Sequence, residues 1–152
     1  MIKLNPAYLA GVLDSDGSFS VVKRNFTSEY CNYNAMIQLS WKKSDLTVSF
    51  MDSLTSEFGG SFAECKPTNT RKSFSDTKDY VKFCICGPKA DNLARTVLPF
   101  LMLKKQQAQN IIKLRELTSV FKGRKQKLIT EELHAIYLLN KSLNTKNGWK
   151  NA

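Results

Sequence analysis

Histidine is almost missing from this chain: His134 is the only one in 152 residues. That argues against hydrolases built on a histidine base and against the ββα-metal nucleases, which need histidines for base and metal alike. His134 itself falls in an apolar-periodic segment and reads as structural. Cysteine is scarce as well. Cys31, Cys65, Cys84 and Cys86 form no CxxC pair and have no histidine beside them, so a structural zinc site is not expected. Cys84 and Cys86 alternate along one strand and share a face, and reduced thiols are the better reading. No run of 18 apolar residues exists, which excludes a membrane-spanning helix. Met1–Pro6 carries no apolar core of a secretion signal, and an intracellular protein is expected.

Acidic residues are few. Thirteen stand against 23 basic ones, a net charge of +10. So large an excess points to a polyanion, and to nucleic acid before a membrane surface. Hydrophobic content of 42% and aromatic content of 11% suit a globular fold. With no linker, repeat or low-complexity tract, residues 1–152 read as one domain.

What is present is concentrated near the start. Asn5-Pro6 reads as an N-cap followed by proline at the first helical position. The segment Leu9-Ala10-Gly11-Val12-Leu13-Asp14-Ser15-Asp16-Gly17 then carries a small-and-apolar helix into two aspartates and a glycine stop. Ala7, Gly11 and Ser15 are spaced to lie on one helical face. Small residues in such a stripe allow close backbone approach. Glycine inside a helix costs roughly 1 kcal/mol against alanine, so Gly11 reads as a contact residue.

Alternation and period order the rest. Strands are predicted over Ser18–Phe26 and about Tyr33–Lys42, then a helix over Ser44–Phe58, ended by Gly59-Gly60. A second strand pair, Ser61–Lys66 and Tyr80–Cys86, flanks the basic, Ser/Thr-rich connection Pro67–Lys78. A third helix begins near Pro88 and breaks before Pro99. A fourth runs from about Lys105 to Phe121, and a fifth from Thr130 carries Leu133, Ile136, Leu139 and Leu143. From Asn144 to Ala152 a flexible tail is predicted. The fold class is α+β, with element order αββαββα plus C-terminal helices.

Leu9–Gly17 resembles the signature of the LAGLIDADG homing endonucleases, matching at Leu9, Ala10, Gly11, Asp14, Asp16 and Gly17. A second block, Leu98-Pro99-Phe100-Leu101-Met102-Leu103-Lys104, is similar to that family's later lysine-containing segment. The resemblance spans about residues 5 to 121. It implies a saddle-shaped antiparallel sheet backed by helices, and cleavage of a long pseudo-palindromic DNA across its minor groove to leave 3′ overhangs. It also implies a mobile-intron origin, hence a chloroplast, mitochondrial or archaeal setting. Intron maturases and non-cleaving DNA binders of the same fold form the alternative.

The resemblance places the essential acid at Asp16. Asp16 and the Ser15 carbonyl offer the oxygen donors that Mg²⁺ takes, with Mn²⁺ or Ca²⁺ as substitutes for binding. Asp14 is the second choice for a ligand. Lys104 corresponds to a basic active-site residue that would orient water or offset charge on the scissile phosphate, with Lys105 next in line. The family's common glutamine near the end of the second strand has no counterpart at Trp41–Lys43. Only one acidic helix exists, so a homodimer is expected, joined through Ala7, Ala10, Gly11, Asp14 and Ser15. Two copies of Asp16 brought together repel unless cations lie between them.

The recognition surface is read from strand alternation. Ser20, Val22 and Arg24 are expected beside Asn34, Met36, Gln38 and Ser40 on a face that enters the major groove. Glu64, Lys66 and Asp79 are expected to extend it, with Lys23, Lys42, Lys43, Arg71 and Lys72 gripping phosphates.

Overall fold

A computed structural model describes residues 3–27, 30–66, 79–120 and 130–145. The chain runs α1 (Pro6–Ser15), β1 (Gly17–Thr27), β2 (Tyr30–Lys42), α2 (Asp45–Phe58), β3 (Ser61–Cys65), β4 (Tyr80–Cys86), α3 (Gly87–Val97), a 3-10 turn (Leu98–Phe100), α4 (Lys105–Val120) and α5 (Thr130–Leu143). The α+β reading and its element order hold. The four strands form one antiparallel sheet in the order β1-β2-β4-β3.

Local chemistry accounts for the helix ends. Asn5 Oδ1 accepts the amides of Ala7 and Tyr8 at 2.9 and 3.3 Å, satisfying donors that a helix N-terminus leaves unpaired. Ser44 and Thr47 form a reciprocal capping box at the head of α2, and Gly59 and Gly60 turn the chain out of that helix at φ +83° and +88°, a region open to glycine. Gly17 ends α1 for a different reason. A Cβ there would lie 2.7–2.8 Å from Leu13 side-chain and backbone atoms, so only glycine lets β1 leave so close to the helix. α3 breaks before Pro99 as expected, ending at Val97, and Pro99 falls in the first turn of the 3-10 segment that follows, where its missing N–H costs no bond.

Alternation builds the core. Phe19 and Val21 of β1, Tyr33, Ala35, Ile37 and Leu39 of β2, and Val81, Phe83 and Ile85 of β4 are buried on one sheet face. Leu9 and Leu13 of α1, Met51 and Leu54 of α2, Leu93 and Val97 of α3, and Ile111 and Leu114 of α4 are buried in the same cluster. α5 is tied on by Asn140, which is 1% exposed and whose Nδ2 donates to the Phe19 carbonyl at 2.9 Å. Asn144 Nδ2 donates to the same carbonyl at 2.8 Å. The predicted flexible tail therefore cannot begin at Asn144, which is anchored; residues 146–152 lie outside the described residues. His134 holds the structural place assigned to it, with Nδ1 2.9 Å from the Tyr33 hydroxyl. Among the described residues no helix is long and apolar enough to cross a membrane.

Candidate active site and nucleic-acid face

The foot of α1 gathers the residues that the sequence singled out. Asp14 and Asp16 are two positions apart on a helix and point to different places. Asp14 is 8% exposed. Its Oδ2 accepts the Met102 amide at 2.7 Å and its Oδ1 the Lys104 amide at 2.9 Å. Both oxygens are committed to the loop between the 3-10 turn and α4. Asp14 is thus a buried staple, and the geometry weighs against it as a ligand.

Asp16 is exposed. Its backbone closes α1, the N–H donating to Val12 O at 3.0 Å. Its Oδ2 accepts the indole N–H of Trp41 at 2.8 Å, while Oδ1 has no hydrogen-bond partner among the described residues. A carboxylate oxygen open to solvent beside the Ser15 carbonyl suits a hard divalent cation. No group of three His, Cys, Asp or Glu side chains able to hold a metal occurs among the described residues. A cation held at Asp16 would need oxygen donors beyond these two.

Lys104 lies directly beneath. It is 8% exposed, and Nζ reaches Gly17 O at 2.6 Å, Leu13 O at 3.0 Å and Ser15 O at 3.3 Å. An ammonium has three donors, and here three backbone carbonyls meet them. The positive charge sits at the C-terminal end of α1, where the helix dipole favours it. Burial pushes its pKa below the ordinary lysine value, with Asp14 and Asp16 pulling the other way. The expected water-orienting role finds no spare proton in this arrangement, whereas the charge-offsetting role keeps its basis. Lys105, the fallback, is exposed.

The dimer expectation is divided by the same helix. Ala7, Gly11 and Ser15 are exposed, as is Tyr8, and a Cβ on Gly11 would meet nothing within 4 Å. Ala10 and Asp14 are corrected: they face the protomer's own core, Ala10 at 0% and Asp14 at 8% exposure, because both lie on one flank of α1, roughly 60–100° round the helix from Gly11, on the side that packs inward. Met102 and Leu103, at 86% and 62% exposure, extend the exposed surface beside α1 through the Asp14 staple. Sequence reasoning missed them, although two adjacent apolar residues ahead of a lysine were visible.

On the open sheet face, Ser20, Val22 and Arg24 of β1 are paired across the ladder with Met36, Asn34 and Asn32 of β2. Gln38 and Ser40 are paired with Cys84 and Lys82 of β4, and Lys42 with Tyr80. Directly opposed residues share a face, so these line one surface as expected. Asn32 and Lys82 belong to it and were not anticipated, although alternation from Arg24 and Tyr80 would have found them. Glu64 is corrected. It opposes Val81, whose side chain is in the core, so it lies on the helix side of the edge strand, where it forms an ion pair with Lys43. Lys23 opposes the buried Tyr33 and emerges on that same side beyond the core. Lys66 and Asp79 flank the strand ends, the Asp79 carbonyl accepting the Lys43 amide at 2.9 Å. Arg71 and Lys72 lie outside the described residues.

No protein-family model matches this chain, and no curated protein does. Solved structures do. The homing endonuclease I-CvuI, in complex with its target, superposes with a TM-score of 0.65 at 18% identity, over 93% of this chain and 83% of that one. The archaeal intron-encoded homing endonuclease I-Vdi141I, complexed with DNA, gives 0.65 at 16% identity, over 93% and 84%. The LAGLIDADG homing endonuclease I-GzeII, in complex with its DNA target, gives 0.65 at 16% identity, over 89% of this chain and 44% of that one. The fold is that of the LAGLIDADG homing endonucleases. This chain spans most of I-CvuI and I-Vdi141I but less than half of I-GzeII.

Proposed function

We propose that this chain is a site-specific endonuclease of double-stranded DNA, acting as a homodimer with divalent metal. The observation that carries the reading is Asp16: an exposed carboxylate at the corner between α1 and the open sheet face, with one oxygen unpartnered and a buried lysine below. The solved structures of this fold, with their DNA complexes, support it.

Asp16 Oδ1 and the Ser15 carbonyl would hold Mg²⁺, or Ca²⁺ or Mn²⁺ in its place. A second copy packed along Ala7, Gly11 and Ser15 would bring a second Asp16, and scissile phosphates would complete the shells. A metal bound there supplies Lewis acidity toward the phosphate and a lowered pKa for attacking water. The chain's own residues prepare that position. Lys104 fixes the three carbonyls around the α1–β1 corner, so the Ser15 oxygen is placed before any ligand arrives, and its charge offsets anionic build-up. Arg24, Asn34 and Gln38 bear the donors and acceptors that read base edges, while Lys42 and Lys82 bear charge for phosphates; Lys43 is engaged by Glu64. Arg71 and Lys72 remain proposed phosphate contacts by composition alone.

Cleavage selection on a randomised duplex library with Mg²⁺, run beside Asp16→Asn, tests this. The expected result is enrichment of pseudo-palindromic sites cut on both strands by the wild type and not by the variant. Sites bound equally by both proteins and never cut would overturn the enzyme and favour a DNA-binding protein. Asp16-independent rescue of intron splicing would favour a maturase.

A further inference from the structure

Trp41 is the penultimate residue of β2. It opposes Val81 in the ladder and so belongs to the core-facing rank, but it is only half-buried. Its ring rests against Phe50 of α2, centroids 5.1 Å apart at 43°, and Phe50 meets Tyr8 of α1 edge-on at 6.2 Å and 75°. The indole is thus wedged between β2 and α2 with its N–H aimed at the foot of α1, where it donates to Asp16 Oδ2 at 2.8 Å.

The chemistry of this side chain narrows what it can do. An indole has one donor and no acceptor. It can neither ligate a cation nor accept a hydrogen bond from water, as the carbonyl oxygen of a glutamine at this place could. A donor held on one oxygen of a carboxylate has two effects. It fixes the rotamer of a side chain that is otherwise free in solvent, and it leaves the second oxygen alone for a ligand. Partners that orient a metal-binding carboxylate in this way typically matter 10–100-fold in affinity or activity.

We infer that Trp41 is a positioning residue for Asp16: its N–H holds Oδ2 so that Oδ1 alone is presented to the cation. The inference rests on the endonuclease reading. It replaces a water-positioning amide at the end of β2 with a device that orients the acid.

The test uses the full chain and a duplex recovered from the cleavage selection. In the wild type, the Trp41 indole ¹⁵N–¹H resonance, assigned against a Trp149→Phe background, is followed while Ca²⁺ is added with the duplex present. It is expected to shift with Ca²⁺, and to lose that response in Asp16→Asn. Trp41→Phe, which keeps a ring against Phe50 and removes the donor, is expected to lower kcat about 10–100-fold with KM for the duplex unchanged. Trp41→Gln, which restores an N–H, is expected to recover part of that loss. An indole resonance that ignores both Ca²⁺ and Asp16→Asn would overturn the inference, as would Trp41→Phe cutting at the wild-type rate. Failure of the wild type to cut any duplex overturns the endonuclease reading instead, and the two failures are distinguishable.

Discussion

The Asp14 carboxylate and the Lys104 backbone amide meet at 2.9 Å across 90 residues of chain. With the Met102 amide on the other oxygen, this pair joins the motif helix to the loop that delivers the lysine. Hydrogen bonds to a charged acceptor contribute more than neutral ones, and leaving a buried amide unpaired is costly. Asp14→Ala is therefore expected to destabilise the protein by about 3 kcal/mol, read by urea unfolding. Asp14→Asn, which keeps one acceptor, should lose less. Equal stability of Asp14→Ala and wild type would show that the staple contributes nothing.

Asp16 should behave in the opposite way. It is exposed and bonds one indole, so Asp16→Asn is expected to change stability little and to reduce cleavage to background while duplex binding persists. A chelator added to the wild type should reproduce that phenotype, with Mg²⁺ restoring cleavage. Gel-shift and cleavage assays on the same duplex separate the two effects; cleavage undiminished by chelator would remove the metal from the proposal.

Lys104→Met should act first on structure. It strands the three carbonyls that Nζ now meets, and a loss of about 3 kcal/mol is expected. A pH signature accompanies it. Because burial holds the folded pKa of Lys104 below 10.5, the unfolded chain binds more protons in the interval between the two values, and stability rises with pH there. The contribution is greatest above 10.5 and is lost as pH falls through the folded value. Denaturation series across alkaline pH should show this rise in the wild type relative to Lys104→Met; parallel curves would contradict it.

Gly11 separates folding from assembly. Its Cβ direction is open within the protomer, and glycine is about 1 kcal/mol poorer than alanine in a helix interior, with arginine close to alanine. Gly11→Arg is expected to keep the helical content of the protomer, by circular dichroism, and to abolish self-association in sedimentation. A dimer that survives Gly11→Arg would place the interface elsewhere than on α1.

Much of this arrangement was open to reading before any coordinates. Asn5-Pro6 announced the start of α1, Ser44 and Gly59-Gly60 bracketed α2, and alternation through Ser20, Val22 and Arg24 and through Asn34, Met36 and Gln38 marked the open sheet face. These signals are short in range: a cap lies within three residues of its donor, and a strand face repeats every second residue. The same local logic misassigned Glu64, because its face depends on the register of β3 against β4, which pairing across the sheet sets. It also left Asn144 in a loose tail, since nothing near it in sequence reveals the Phe19 carbonyl that holds it.

Sequence alone determined the element order, the basic surface and the delivery of two aspartates to a helix-to-strand corner. Only the tertiary structure decided which aspartate is free. Asp14 finds its amides and Asp16 its indole in segments that chain connectivity leaves far away. Packing of the core brings those segments to the foot of α1. There the burial of one carboxylate and the exposure of the other divide two chemically identical side chains into a staple and a candidate ligand.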